Sequence, residues 1–167
     1  MRVNLGSGQR RFEGWVNIDI VSRPDQQPDV IADGALLPLP SNSVQTIVLS
    51  HTLEHFHLGD ANTMLEDCHR TLTPGGSLII TVPNMKTLAK RWLLGQIEDY
   101  IFFVNTYGAW QGEEGDDHHW GFSHQSLVSY LTSLKIKWRS VQSFNWREIP
   151  GASIARDWWI CAVEAVK

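Results

Sequence analysis

Val3-Asn4-Leu5-Gly6-Ser7-Gly8 and the stretch just after it, Trp15-Val16-Asn17-Ile18-Asp19-Ile20, decide the fold. A short apolar strand runs into a Gly-Ser-Gly turn, and a second strand over residues 15–20 delivers Asp19 at its end. The two glycines let the backbone turn sharply and approach a ligand with no Cβ in the way, and a carboxylate at the next strand tip can accept hydrogen bonds from both hydroxyls of a ribose. This is the grammar of a nucleoside-cofactor site. Asp29-Val30-Ile31-Ala32-Asp33 reads as a third strand ending in an acid, and Val44-Gln45-Thr46-Ile47-Val48-Leu49-Ser50 as a fourth. In an open α/β sheet ligands sit beyond the carboxyl ends of the strands, where the winding reverses, so these polar ends are expected around one crevice. Leu53-Glu54-His55-Phe56, a helix over 61–72, and Thr73-Pro74-Gly75-Gly76 feeding an apolar strand over 77–82 complete the pattern.

Six short motifs in this order, VNLGSG, GWVNID, LPLPSNS, LEHF, LTPGG and ITVPN, make the chain resemble the class I S-adenosylmethionine-dependent methyltransferases of the small methyltransferase type 11-like group. The resemblance is dense over residues 3–84 and thin afterwards, through HHWGFSHQSL at 118–127. It implies a Rossmann-like α/β sheet of seven strands, order 3-2-1-4-5-7-6 with the last antiparallel, completed by strands over 136–144 and 158–166. It also implies that Gly6, Ser7 and Gly8 face the methionine part of S-adenosylmethionine, that Asp19 holds the ribose and that Asp33 lies beside the adenine. Ile20 and Gly34 join this cofactor-binding set, and Ser50 and His51 line the same pocket.

With 167 residues, 43 % hydrophobic and 19 % charged, the chain reads as a single methyltransferase domain over 1–167. A net charge of −4 and scattered basic residues argue against nucleic acid as partner; the run Lys135-Ile136-Lys137-Trp138-Arg139 reads as a solvated strand edge. Apolar stretches are strand-sized, so no membrane insertion is expected, and Met1-Arg2 leads straight into the first strand, which points to a cytoplasmic protein. Cys68 and Cys161 read as buried free thiols. Of the eight tryptophans, Trp92, Trp138, Trp158 and Trp159 are read mostly as core.

Only six residues separate Gly8 from Trp15, too few for a crossover helix, and Pro24 and Pro28 disfavour a helix in the second connection. Right-handed crossovers put both missing helices on the same face of the sheet. Two substitutes are considered: the 84–124 segment folds over that face, or a second subunit covers it in a homodimer. Within 84–124 an amphipathic helix is expected over 85–96, then the apolar run Tyr100-Ile101-Phe102-Phe103-Val104 and a loop rich in glycine, acid and aromatic residues, read as an acceptor-binding insertion or lid. Ser123 is the expected N-cap of a further helix carrying Leu127, Leu131 and Leu134.

Seven histidines raise the question of a metal. His51 and His55 have i, i+4 spacing, but a capping or packing role is preferred for His55. Asp116-Asp117-His118-His119 is a solvated loop, an acceptor-binding cluster or a metal cluster, and no metal enters the assignment. The family chemistry is an in-line displacement at a sulfonium methyl, for which alignment and water exclusion suffice. A hydroxyl or ammonium acceptor needs a base, with His51, His118 and His119 as candidates. The expected partner is a small-molecule acceptor, with a saccharide or polysaccharide-precursor hydroxyl leading because similar family members are associated with such assembly. Two rivals are weighed. A nicotinamide-dependent oxidoreductase or epimerase would show a third glycine and a Tyr-x-x-x-Lys pair, and both are missing here. A non-catalytic cofactor-binding domain remains the other.

Overall fold

The computed structural model describes residues 1–25, 27–109, 115–149 and 159–167. Its strands are β1 (Arg2–Leu5), β2 (Val16–Asp19), β3 (Val30–Ile31), β4 (Val44–Ser50), β5 (Leu72–Pro83), β6 (Ser140–Ser143) and β7 (Ile160–Val166). They form one sheet in the order β3-β2-β1-β4-β5-β7-β6. β1 pairs in parallel with β2 and β4, β4 in parallel with β5, and β7 runs antiparallel to both β5 and β6. Sheet order and strand directions are those implied by the sequence motifs.

Four helices accompany the sheet: α1 (Leu58–Thr71), α2 (Met85–Leu93), α3 (Asp99–Tyr107) and α4 (His124–Ser133). In α1, Ala61, Met64, Leu65 and Cys68 recur at helical spacing and are all fully buried. α4 starts at the expected Ser123, whose side chain and that of Ser126 each accept from the other's backbone N–H, a complete capping box. Leu127 and Leu131 on α4 reach the same core as α1, where they meet Val3, Leu5, Ile18, Ile47, Leu49, Leu78, Ile80 and Val163 from the sheet. Asp67 on α1 accepts from the Leu37 N–H at 2.7 Å and pairs with Arg70, which also donates to the Leu37 and Leu39 carbonyls. The irregular connection between β3 and β4 is thereby pinned to the same face.

The opposite face is built differently. No helix lies between β1 and β2, as the six-residue spacing required. Phe12 and Trp15 from that turn pack edge-to-face at 5.5 Å and join Val48, Ile79 and Ile149 in a separate small core, with Phe144 and Trp146 against it. Beneath the turn, buried Asn17 accepts from Phe12 N–H at 2.8 Å and from the Asn4 amide at 3.0 Å, and donates to the Phe12 and Trp15 carbonyls. Asn4 also donates to the Arg10 carbonyl at 2.7 Å. Two side-chain amides thus do the work that helix backbone bonds do elsewhere.

Several expectations are corrected. Among the described residues, none of 84–124 belongs to the Phe12–Trp15 core, whose cover comes from the β1–β2 turn and from 144–149. The expected 85–96 helix stops at Leu93, and the apolar run at 100–104 lies inside α3. α3 has no buried residue; its Phe102 stacks on Trp92 of α2 at 4.4 Å, while Tyr100 and Tyr107 are exposed. Among the described residues Trp15 is the buried tryptophan; Trp92, Trp138 and Trp159 are half-buried, and Trp158 lies outside the described residues. Cys68 and Cys161 are buried free thiols.

Candidate active site

β1 ends where Gly6 turns with φ of 70°, and its N–H donates to the Ile18 carbonyl of β2 at 2.8 Å. A Cβ on Gly6 would come within 2.3 Å of the Thr52 methyl, so this glycine is demanded by the protein's own packing as well as by conformation. Asp19, at the end of β2, accepts from Gly8 N–H at 2.6 Å through Oδ2 and from Val21 N–H at 2.8 Å through Oδ1. Those bonds fix the carboxylate and leave further lone pairs on both oxygens. After β3, Asp33 accepts from Ala35 N–H at 2.9 Å.

These strand ends enclose a cavity of about 310 Å³. Of the residues expected to bind cofactor, Gly6, Gly8, Asp19, Ile20, Asp33, Gly34 and His51 line it, joined by Thr52, His55 and Phe56 and by Gly115 and Asp116. Ile20 is 64 % exposed, an apolar side chain held at the cavity wall. Ser7 and Ser50, the other two expected cofactor residues, are not among the residues lining the cavity. Ser7 is turned inward and buried, with its hydroxyl unpartnered, and the Ser50 hydroxyl is turned toward Thr81, 3.4 Å away. Thr52 was not marked by any motif, because its role is to fill the space a side chain on Gly6 would take.

His51 sits at the tip of β4 with φ of 54°, a left-handed conformation costly for a residue with a Cβ and one that gathers at functional sites. Its Nδ1 lies 3.3 Å from Oε1 of Glu54, which is 1 % exposed. Burial works to raise the Glu54 carboxyl, but the hydrogen bond and charge of neighbouring His51, with a smaller contribution from His55, carry it below the ordinary value. His118 stands behind His55, their rings edge-to-face at 4.7 Å. Burial, first, and the nearby His55 and His51 hold the His118 imidazole below its ordinary value despite the opposing pull of Glu54. His119 is exposed and stacks on His57 at 3.8 Å, and neither it nor His118 is among the residues lining the cavity.

Trp110 to Glu114 of the expected lid lie outside the described residues. At the base of that loop Gly108 packs so closely on the Asp116 backbone that a Cβ would meet its carbonyl at 2.1 Å, which brings Gly115 and Asp116 to the cavity.

S-adenosylmethionine is the cofactor the motifs imply, and the cavity's groups suit it: glycine backbone without side chains, a fixed carboxylate for vicinal hydroxyls and an apolar wall for a flat base. Residues 16–80 match the methyltransferase domain family model. A demethylmenaquinone methyltransferase of Corynebacterium efficiens is 28 % identical over 104 residues, covering 52 % of this chain and 44 % of that protein; the chain therefore spans less than half of that relative's length. A SAM-dependent methyltransferase from Archaeoglobus fulgidus superposes with a TM-score of 0.64 at 16 % identity, covering 99 % of this chain and 85 % of that one. The 1,6-didemethyltoxoflavin-N1-methyltransferase of Burkholderia thailandensis, solved with 1,6-didemethyltoxoflavin and S-adenosylhomocysteine, does so with 0.60 at 15 % identity over 99 % and 70 %. The chain thus carries the Rossmann-like fold of these solved methyltransferases, and its match to the methyltransferase domain family lies over residues 16–80.

Proposed function

We propose that the protein transfers the methyl group of S-adenosylmethionine to a small-molecule acceptor. The observation that carries this is the gathering of Gly6, Gly8, Asp19 and Asp33 around one cavity at three neighbouring strand ends. The cofactor supplies an electrophilic methyl on a sulfonium that already holds its leaving group. Asp19 accepts from the ribose hydroxyls, the Gly6–Gly8 backbone lies against the methionine part, and Ile20, Asp33 and Gly34 border the adenine. Ser7 and Ser50 support the strand ends from behind.

His51 is the base in this reading: with Nδ1 turned toward Glu54, its Nε2 is free to take the acceptor proton. Glu54 is a positioning residue. The 84–124 segment, whose Gly115 and Asp116 reach the cavity, supplies the acceptor side. A saccharide hydroxyl is the finer reading, supported by the exposed, stacked rings of Phe103 and Tyr107 on α3 within that segment.

Calorimetric titration with S-adenosylhomocysteine against NAD tests the cofactor. Asp19→Ala is expected to weaken S-adenosylhomocysteine binding by about 1.5–3 kcal/mol, the value of charge-assisted hydrogen bonds. An unchanged affinity would remove Asp19 from the ribose. Gly6→Val, which drives a side chain into Thr52, is expected to abolish measurable binding. Transfer of isotope from labelled methyl donor into cell-extract saccharides tests the acceptor, and label found only in a non-saccharide fraction would replace it.

A further inference from the structure

Glu54, His55 and His118 each offer one ligand atom, and these atoms all lie within 4.8 Å of one another. Three features set this group apart from a packed polar cluster. Glu54 Oε2 and Nδ1 of His55 are buried with no hydrogen-bond partner, a costly arrangement for groups with this much electron density, and Glu54 Oε1 has only His51 Nδ1 nearby, at 3.3 Å. His118 Nδ1 is 3.0 Å from the Asn105 carbonyl, which can only accept; Nδ1 therefore carries the proton and Nε2 presents a bare lone pair. A ligand histidine held by a backbone carbonyl through its other nitrogen is the arrangement that metal sites use to fix tautomer and ring direction. Finally, the peptide carrying His119 donates to the Glu54 carbonyl at 2.9 Å, which fastens the His118 loop to the Leu53–His55 turn and holds the ligands together across the fold.

We propose that Glu54, His55 and His118 form a binding site for one divalent first-row transition-metal ion in the wall of the methyl-donor cavity. Two imidazoles and one carboxylate are the donor set of open catalytic zinc and iron(II) sites. Metal–nitrogen bonds of about 2.1 Å place neighbouring ligands about 3.4 Å apart, so the ligand separations shorten by up to about 1.4 Å on the ion. This departs from the metal-free assignment made on sequence, in which His55 was given a packing role. His55 lines the cavity, so the three-residue site adjoins it.

On the proposed methyl-transfer reading, an acceptor hydroxyl binds the ion and gives its proton to His51. The oxygen lone pair then forms the new O–C bond as the C–S bond breaks, its electron pair returns to sulfur, and His51 releases the proton to water.

The test uses the whole chain, stripped with chelator and without cofactor. Calorimetry with Zn²⁺ and the visible ligand-field bands of Co²⁺ should show one ion per chain. His118→Ala and His55→Ala should each weaken Zn²⁺ uptake by about a hundredfold or more and abolish the Co²⁺ bands, with circular dichroism confirming the fold. S-adenosylhomocysteine affinity of His118→Ala should stay within about threefold of the parent, since the two sites are separable. No saturable uptake, or uptake unchanged in both variants, overturns the site and leaves Glu54 a buried partner of His51. Loss of the ion in His57→Ala but not in His118→Ala also overturns it, by moving binding to the stacked His57–His119 pair. Zn²⁺ binding without S-adenosylhomocysteine binding would keep the site and remove the methyl-transfer role.

Discussion

The two faces of the sheet solve one problem by different means. On one, α1 and α4 lay aliphatic stripes across the strands, and Ile47, Leu49, Leu65, Leu78, Leu127 and Leu131 are buried completely. On the other, a turn too short for a helix covers the strands with two aromatic rings and ties its backbone to two buried asparagines. The contrast teaches that a crossover helix supplies both apolar cover and satisfied backbone, and that the two can be provided separately.

The comparison breaks if the helical face does not dominate stability. Leu65→Ala, which empties a fully buried position on α1, is expected to cost about 3 kcal/mol in urea unfolding. A loss below that of any change in the β1–β2 turn would reverse the ranking. Asn17→Ala sharpens it. Removing this side chain strands the Phe12 N–H and the Asn4 amide, so about 2 kcal/mol is expected, together with weaker S-adenosylhomocysteine binding because Asp19 lies two residues on. A loss of only a few tenths would mean that Phe12 and Trp15 hold the turn unaided.

The smallest effect lies at the edge of the turn, where Asp29 accepts from the Asn17 backbone and side chain at 2.8 and 2.9 Å and pairs with Arg11. The Asn17 backbone hydrogen bond, then the Arg11 and Asn17 side chains, lower its carboxyl from 3.8 to about 2. The native state therefore binds fewer protons than the unfolded chain between these values. The stabilisation is complete above pH 3.8 and fades as pH falls through about 2. With this side chain 39 % exposed, solvent screening limits it to about 1 kcal/mol. Unfolding of the parent and of Asp29→Asn, compared from pH 6 downward, should show a gap that closes near pH 2; a constant gap would assign the effect to the side-chain amide instead.

Much of the architecture was legible because periodicity and punctuation agreed. β4 runs over the expected Val44–Ser50, and α4 begins after the expected Ser123. Where those signals part, boundaries moved. α1 begins at Leu58, three residues before the apolar stripe, since Leu58 and Gly59 face solvent and carry no pattern. α3 was read only as an apolar run, because its hydrophobic residues serve ring stacking with α2 and bury no stripe. At the site, strand-end residues were readable from the glycine and acid spacing. Thr52, the burial of Glu54 against His51 and the inward turn of Ser7 are not, since they depend on which side chain faces which neighbour once the strands are assembled.

The Gly8–Asp19 bond spans eleven positions, whereas Val163 of β7 is registered against Ile80 of β5, far back in the chain. Closing the first loop costs little chain entropy and takes a tiny fraction of the time needed to bring the last strand home. The Gly8–Asp19 turn, half of the proposed cofactor cradle, is therefore expected among the early events of refolding and the β5–β7 seam among the late ones. Stopped-flow refolding would show this as Asn17→Ala slowing the folding limb while Val163→Ala mainly quickens unfolding, and equal effects on both limbs would deny the sequence of events.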